Sequence, residues 1–117
     1  MGGDNLAMMT GEQLKQLSRM KKLINQGYKR FANRKDRDYI QELLDIGITE
    51  EMAWSEILTL SAQNYAHDYK PSYAKYSDGA LTFKKMINGC RVYIKIKIEK
   101  YDNNDEAVCL SFHIDHR

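Results

Sequence analysis

Cys90-Arg91-Val92-Tyr93-Ile94-Lys95-Ile96-Lys97-Ile98-Glu99-Lys100 alternates without a break: Val92, Ile94, Ile96 and Ile98 fall to one side, Arg91, Tyr93, Lys95, Lys97 and Glu99 to the other. Period-2 alternation of β-branched and polar residues marks a strand buried on one face only. Upstream, Leu81 to Ile87 runs into Asn88-Gly89, the dipeptide best suited to the two φ > 0 positions of a type I′ hairpin turn. Downstream, Asp102-Asn103-Asn104-Asp105 reads as a second turn. Val108, Leu110, Phe112 and Ile114 then alternate with Cys109, Ser111, His113 and Asp115. The three strands make an antiparallel meander with one apolar and one polar face.

Turn length and side-chain parity constrain the register. A two-residue Asn88-Gly89 loop sets Ile87 opposite Cys90, hence Phe83 opposite Ile94, Leu81 opposite Ile96 and Lys84 opposite Tyr93. Keeping the apolar sides together in the second hairpin puts His113 opposite Tyr93 or Lys95. The polar face then carries Lys84, Tyr93 and His113 in a row, with Arg91, Lys95, Lys97 and Ser111 around it. Lys85 lands on the apolar side, which suits it only near a sheet end.

Toward the N-terminus, Thr10-Gly11-Glu12-Gln13 has the form of a capping box, in which Thr10 and Gln13 satisfy each other's free backbone N–H groups. A helix follows to about Gln26, its stripe formed by Leu14, Leu17, Met20, Leu23 and Ile24, and Gly27 supplies the αL residue that ends it. Residues 28–37 read as a basic connector too polar for a core element. A second helix is expected over 34–45, with Tyr39, Ile40, Leu43 and Leu44 inward and Gly47 as its stop. Thr49 suits the N-cap of a third, where Glu50 and Glu51 complement the macrodipole. Met52, Trp54, Ile57, Leu58 and Leu60 supply its apolar side, with Trp54 as a core anchor.

With 117 residues, one core is the expectation: a disordered tail over 1–9 and a single domain over 10–117. The fold class expected is α+β, N-terminal helices packed on the apolar face of a twisted antiparallel sheet whose other face is open. No stretch approaches the roughly 20 apolar residues that span a bilayer, and no charged-then-apolar leader opens the chain. The cytoplasm and no membrane partner are therefore expected. Parity separates Cys90, apolar side, from Cys109, polar side, so the two cysteines are expected free, as suits that compartment.

Neither CxxC nor HExxH occurs, no carboxylates cluster on the predicted polar face, and no Gly-rich phosphate loop is present. No metal and no cofactor are expected. Cys109 and His113 share a strand face, but about 13 Å of extended chain separates them, too far for a nucleophile–base pair.

The net charge of +2 hides blocks. Eight Lys/Arg against one acid lie between Arg19 and Arg37, seven acids and no base between Asp38 and Asp68, and eight bases against two acids between Tyr69 and Lys100. The blocks either form a polyanion-facing surface with an acidic back or intermingle and cancel. Residues 61–78 interleave aromatics and cations around Pro71: Tyr65, His67, Tyr69, Lys70, Tyr73, Lys75 and Tyr76. Such a stretch either grips single-stranded RNA, rings stacking on bases while lysines hold phosphates, or packs as a tyrosine-rich loop over the sheet edge.

The polar face suits metal-independent RNA cleavage, which needs a base for the 2′-OH, cations for the pentavalent phosphate and an acid for the 5′-oxygen. His113 can give or take a proton, Lys84, Lys95 and Lys70 can neutralise phosphate, and Tyr93 can hydrogen-bond or act as base.

Residues 17–27 (LSRMKKLINQG), Leu43 through Gly47-Ile48, Trp54 to Leu60, Tyr69-Lys70, Tyr76-Ser77-Asp78, Val92-Tyr93-Ile94-Lys95-Ile96 and Ser111-Phe112 together resemble the MqsR family of type II toxins. The likeness runs in order over about residues 14 to 113. It implies a RelE-like fold, ribosome-independent endoribonuclease activity on mRNA, and neutralisation by a cognate antitoxin protein. The family's loop lysine corresponds to Lys70 and its strand tyrosine to Tyr93; its glutamine on the preceding strand falls on Phe83 or Lys84, and its lysine after Ser-Phe is replaced here by His113. The expected catalytic set is Lys70, Lys84, Tyr93 and His113, with Arg91, Lys95, Lys97, Tyr69 and Tyr73 contacting RNA. Two other readings of the same face stay open: a non-catalytic nucleic-acid-binding module, and a protein-interaction domain with an acidic partner.

Overall fold

The computed structural model describes residues 9–66 and 79–115. Three helices, α1 (Gly11–Asn25), α2 (Tyr39–Ile46) and α3 (Glu50–Leu58), pack on one face of a four-stranded mixed sheet. Its strands are β1 (Lys29–Phe31), β2 (Leu81–Ile87), β3 (Cys90–Tyr101) and β4 (Asn104–Ile114), in the order β1-β4-β3-β2. Among the described residues no helix is long and apolar enough to cross a membrane.

The helix ends follow their local chemistry. Thr10 and Gln13 make the reciprocal capping-box bonds of α1. Thr49 Oγ1 accepts from the Met52 N–H at the start of α3, and Asp38 does the same for Gln41 in α2. Gly27 and Gly47, at φ 91° and 88°, take the left-handed conformation that lets the chain leave α1 and α2. Met9, expected to end a disordered tail, is instead buried in the core immediately before the first cap.

Two features of the sheet differ from expectation. The first is β1: within the expected connector, Lys29, Arg30 and Phe31 pair in parallel with Ala107, Val108 and Cys109 of β4, so the sheet is mixed and not purely antiparallel. Phe31 is the reason. Its ring is buried, stacked on Tyr39 at 4.6 Å, edge-on to Trp54 at 4.9 Å and 6.5 Å from Phe112. One aromatic among cations outweighs the polarity of its neighbours, because the two flanking side chains of a strand point the other way or to its rim. Consequently α2 begins at Tyr39, not at residue 34, after a β-type crossing that Phe31 anchors.

The second is a bulge in β4. Lys95 faces Ser111 but Ile96 faces Cys109, so Leu110 is an extra residue and parity reverses there. Above the bulge the expected pairs hold, including Tyr93 with His113 and Ile94 with Phe112; below it Ala107 and Cys109 turn into the core. Unbroken parity would put Cys109 on the polar face; it is instead 1% exposed, and burial pushes its thiol well above the ordinary value. Cys90 and Cys109 are both free.

The first hairpin matches throughout: Ile87 with Cys90, Lys84 with Tyr93, Phe83 with Ile94 and Leu81 with Ile96, closed by Asn88 and Gly89 at φ 52° and 79°. The second closes on two residues, Asp102 and Asn103, at φ 57° and 73°, not on four. Lys85, the misfit on the apolar side, reaches the end of α3, bonding Thr59 Oγ1 and pairing with Glu56 at 2.7 Å. Helix faces are narrower than expected: Leu14, Ile40, Leu44 and Met52 are exposed, while Met20, Leu43, Ile46, Trp54 and Ile57 fill the core. A short helical stripe can bury only the residues that point at the sheet, and α2 packs by Tyr39, Leu43 and Ile46.

Candidate functional site

The second face of the sheet is built from rows set by strand pairing. Arg91 lies beside Met86, and the Asp115 N–H bonds back to the Arg91 carbonyl. Next come Lys84, Tyr93 and His113, then Thr82, Lys95 and Ser111. Below the bulge Lys97, Val108 and Arg30 form a further row, and Glu99 and Glu106 the last. Alternation directs the side chains outward; the first hairpin fixes the β2–β3 neighbours, and the second hairpin together with the bulge fixes those of β3 and β4.

The central row is the one predicted. The Tyr93 and His113 rings lie 5.2 Å apart between centroids, tilted by 32°. His113 Nδ1 is 2.9 Å from the Ile114 carbonyl oxygen. A carbonyl can only accept, so Nδ1 carries the proton and Nε2 of the neutral ring holds the lone pair. Lys84, on the other side of Tyr93, forms an ion pair with Asp115 at 3.1 Å; the lysine is 44% exposed and the carboxylate 8%. The row therefore offers a proton acceptor, a phenol and a cation within adjacent strand positions.

Asp115 is a member of this group that sequence reasoning misses. The signal is present: it has the same strand parity as His113, two residues on. Carboxylates do gather on this face after all. Glu99 and Glu106 stand opposite each other, both bonded to Arg30 at 2.9 and 2.8 Å, and Lys97 is 3.6 Å from Glu99. The charge blocks thus intermingle in part: Arg30 reaches these acids, Arg19 pairs with Asp105, and Lys85 with Glu56. Among the described residues of the face, Arg91 and Lys95 make no ion pair.

Lys70, Tyr69 and Tyr73 lie outside the described residues, as do His67, Lys75 and Tyr76. Cys109 and His113 do not form a catalytic pair, because the thiol faces the core and bonds the Ser111 carbonyl. Among the described residues no group of three or more His, Cys, Asp or Glu could hold a metal ion. Comparison of the chain with protein-family models, with curated proteins and with solved structures finds no match.

Proposed function

We propose that this chain is an mRNA-cleaving toxin of the MqsR type with a RelE-like fold, acting without a metal on single-stranded RNA and restrained by a cognate antitoxin. The observation that carries the reading is the Lys84–Tyr93–His113 row, with the two rings side by side and the imidazole tautomer fixed by the Ile114 carbonyl. The family likeness of the Val92-to-Ile96 and Ser111-Phe112 segments points to the same strands independently.

In the proposed reaction, His113 Nε2 takes the proton of a ribose 2′-OH as the 2′-oxygen attacks phosphorus. The bond from phosphorus to the 5′-oxygen breaks, that oxygen takes a proton from water, and the His113 imidazolium returns its proton to the resulting hydroxide, so that the ring is neutral again. Tyr93 donates its phenolic hydrogen bond to the phosphate, and Lys84 and Lys95 stabilise the charge on the pentavalent intermediate. The products are a 2′,3′-cyclic phosphate and a 5′-OH. Lys84 performs this role by exchanging Asp115 for a phosphate oxygen, a shift open to an exposed lysine end. Lys70 is proposed to join Lys84 in stabilising the phosphate, Tyr69 and Tyr73 to hold the adjoining nucleotides, and the cytoplasm is the proposed site of action.

The test is incubation of the purified protein with a defined single-stranded RNA in EDTA, with mapping of the new ends, beside His113→Ala and Tyr93→Phe. Cyclic-phosphate and 5′-OH ends, reduced about 100-fold or more in His113→Ala, are expected. Intact RNA that still binds would replace this reading with that of a non-catalytic binding module.

A further inference from the structure

Resting on the RNA reading of this face, we propose that its binding track is short and ends at a built-in charge boundary: RNA runs along β3 from Arg91 to Lys95 and stops before Lys97. Two cations and two carboxylates set that boundary. Arg30 is bonded to both Glu99 and Glu106, and Lys97 is also paired with Glu99. Val108, on the outward side of the bulge between Arg30 and Lys97 in the strand order, is 1% exposed, and the Glu106 side chain that bonds Arg30 is 19% exposed. A phosphate arriving there meets no net positive charge and two carboxylates that it would have to displace. Beyond it the hairpin turn adds the exposed Asp102, which repels a polyanion further.

From Arg91 to Lys95 the strand rises about 13 Å. That length accommodates about two to three phosphates of an extended single strand on an electrostatic track. The preferred ligand is therefore a short unpaired stretch of RNA. The sequence alternation alone makes Lys97 equivalent to Lys95. Strand β1, which brings in Arg30, and the bulge, which brings Glu106 beside Glu99, are what separate them.

The boundary is tested by binding of a fluorescent 2′-O-methyl oligouridylate, which cannot be cleaved, over a range of salt concentrations. Removing one phosphate-neutralising cation lowers the magnitude of the log–log salt slope by about 0.7. Arg91→Ala and Lys95→Ala are each expected to reduce it by about that much, and Lys97→Ala to leave it unchanged. The charge-removing pair Glu99→Gln with Glu106→Gln frees Arg30 and Lys97 and is expected to raise the slope by up to about 1.4. A reduction in Lys97→Ala equal to that in Arg91→Ala, or an unchanged slope in the Glu99→Gln/Glu106→Gln variant, would overturn the boundary and leave the RNA reading standing. Failure of the parent chain to bind the probe at low salt would overturn both.

Discussion

Phe31→Ala tests the least anticipated element, the parallel strand β1. The ring is 7% exposed and lies against Tyr39, Trp54 and Phe112. Removing a buried phenylalanine costs about 3 to 5 kcal/mol, transfer and cavity together. The stacked and edge-on neighbours place this site toward the upper half, since each aromatic pair adds about 0.5 to 1.5 kcal/mol beyond area. A loss of about 4 kcal/mol is expected, a large part of the roughly 5 to 15 kcal/mol that holds a domain together. With a urea m-value of about 2 kcal/mol/M the midpoint should fall by about 2 M. Phe31→Leu, which keeps most of the volume and none of the ring geometry, should recover about half. Equilibrium urea unfolding followed by tryptophan fluorescence reads both, because Trp54 touches the ring. A midpoint change under about 0.5 M in Phe31→Ala would refute the claim that Phe31 ties β1 into the core.

Other consequences can be checked directly. A thiol reagent under native conditions should label half-buried Cys90 well before Cys109, whose modification should track unfolding; equal rates would contradict the bulge that turns Cys109 inward. Burial and the neighbouring Glu50 raise the Tyr39 pKa above 10.0, so the folded state holds that proton longer than the unfolded one. Stability should accordingly decline as pH climbs from 10 through the raised value, and Tyr39→Phe should flatten that decline in alkaline melts. Gly47→Ala forces a Cβ onto a residue at φ 88° with Asn88 Nδ2 3.4 Å away, and should cost about 1 kcal/mol or more in thermal unfolding.

The strands that carry the candidate site can be read directly from the chain. Alternation from Arg91 to Glu99 and the Asn88-Gly89 turn are local: a two-residue loop leaves one register, so Lys84 and Tyr93 are neighbours before any tertiary contact is considered, whereas the choice of Tyr93 over Lys95 as the partner of His113 waits on the bulge in β4. Helix caps at Thr10 and Thr49 and the αL stops at Gly27 and Gly47 are local for the same reason. What remains to the tertiary structure are effects with a distant partner. Phe31 makes a strand of a basic segment because Tyr39, Trp54 and Phe112 converge on it, and no window around residue 31 contains all three. The bulge at Leu110 reverses parity between the turn end of β4, where Tyr101 pairs with Asn104, and its far end, where Phe112 is buried opposite Ile94, so Cys109 enters the core and Glu106 joins Glu99 outside. Charge is least legible of all. Sequence counts cations by block, whereas the field on the face depends on which of them a carboxylate has already met: Lys84 by Asp115, Arg30 by Glu99 and Glu106, Lys97 by Glu99.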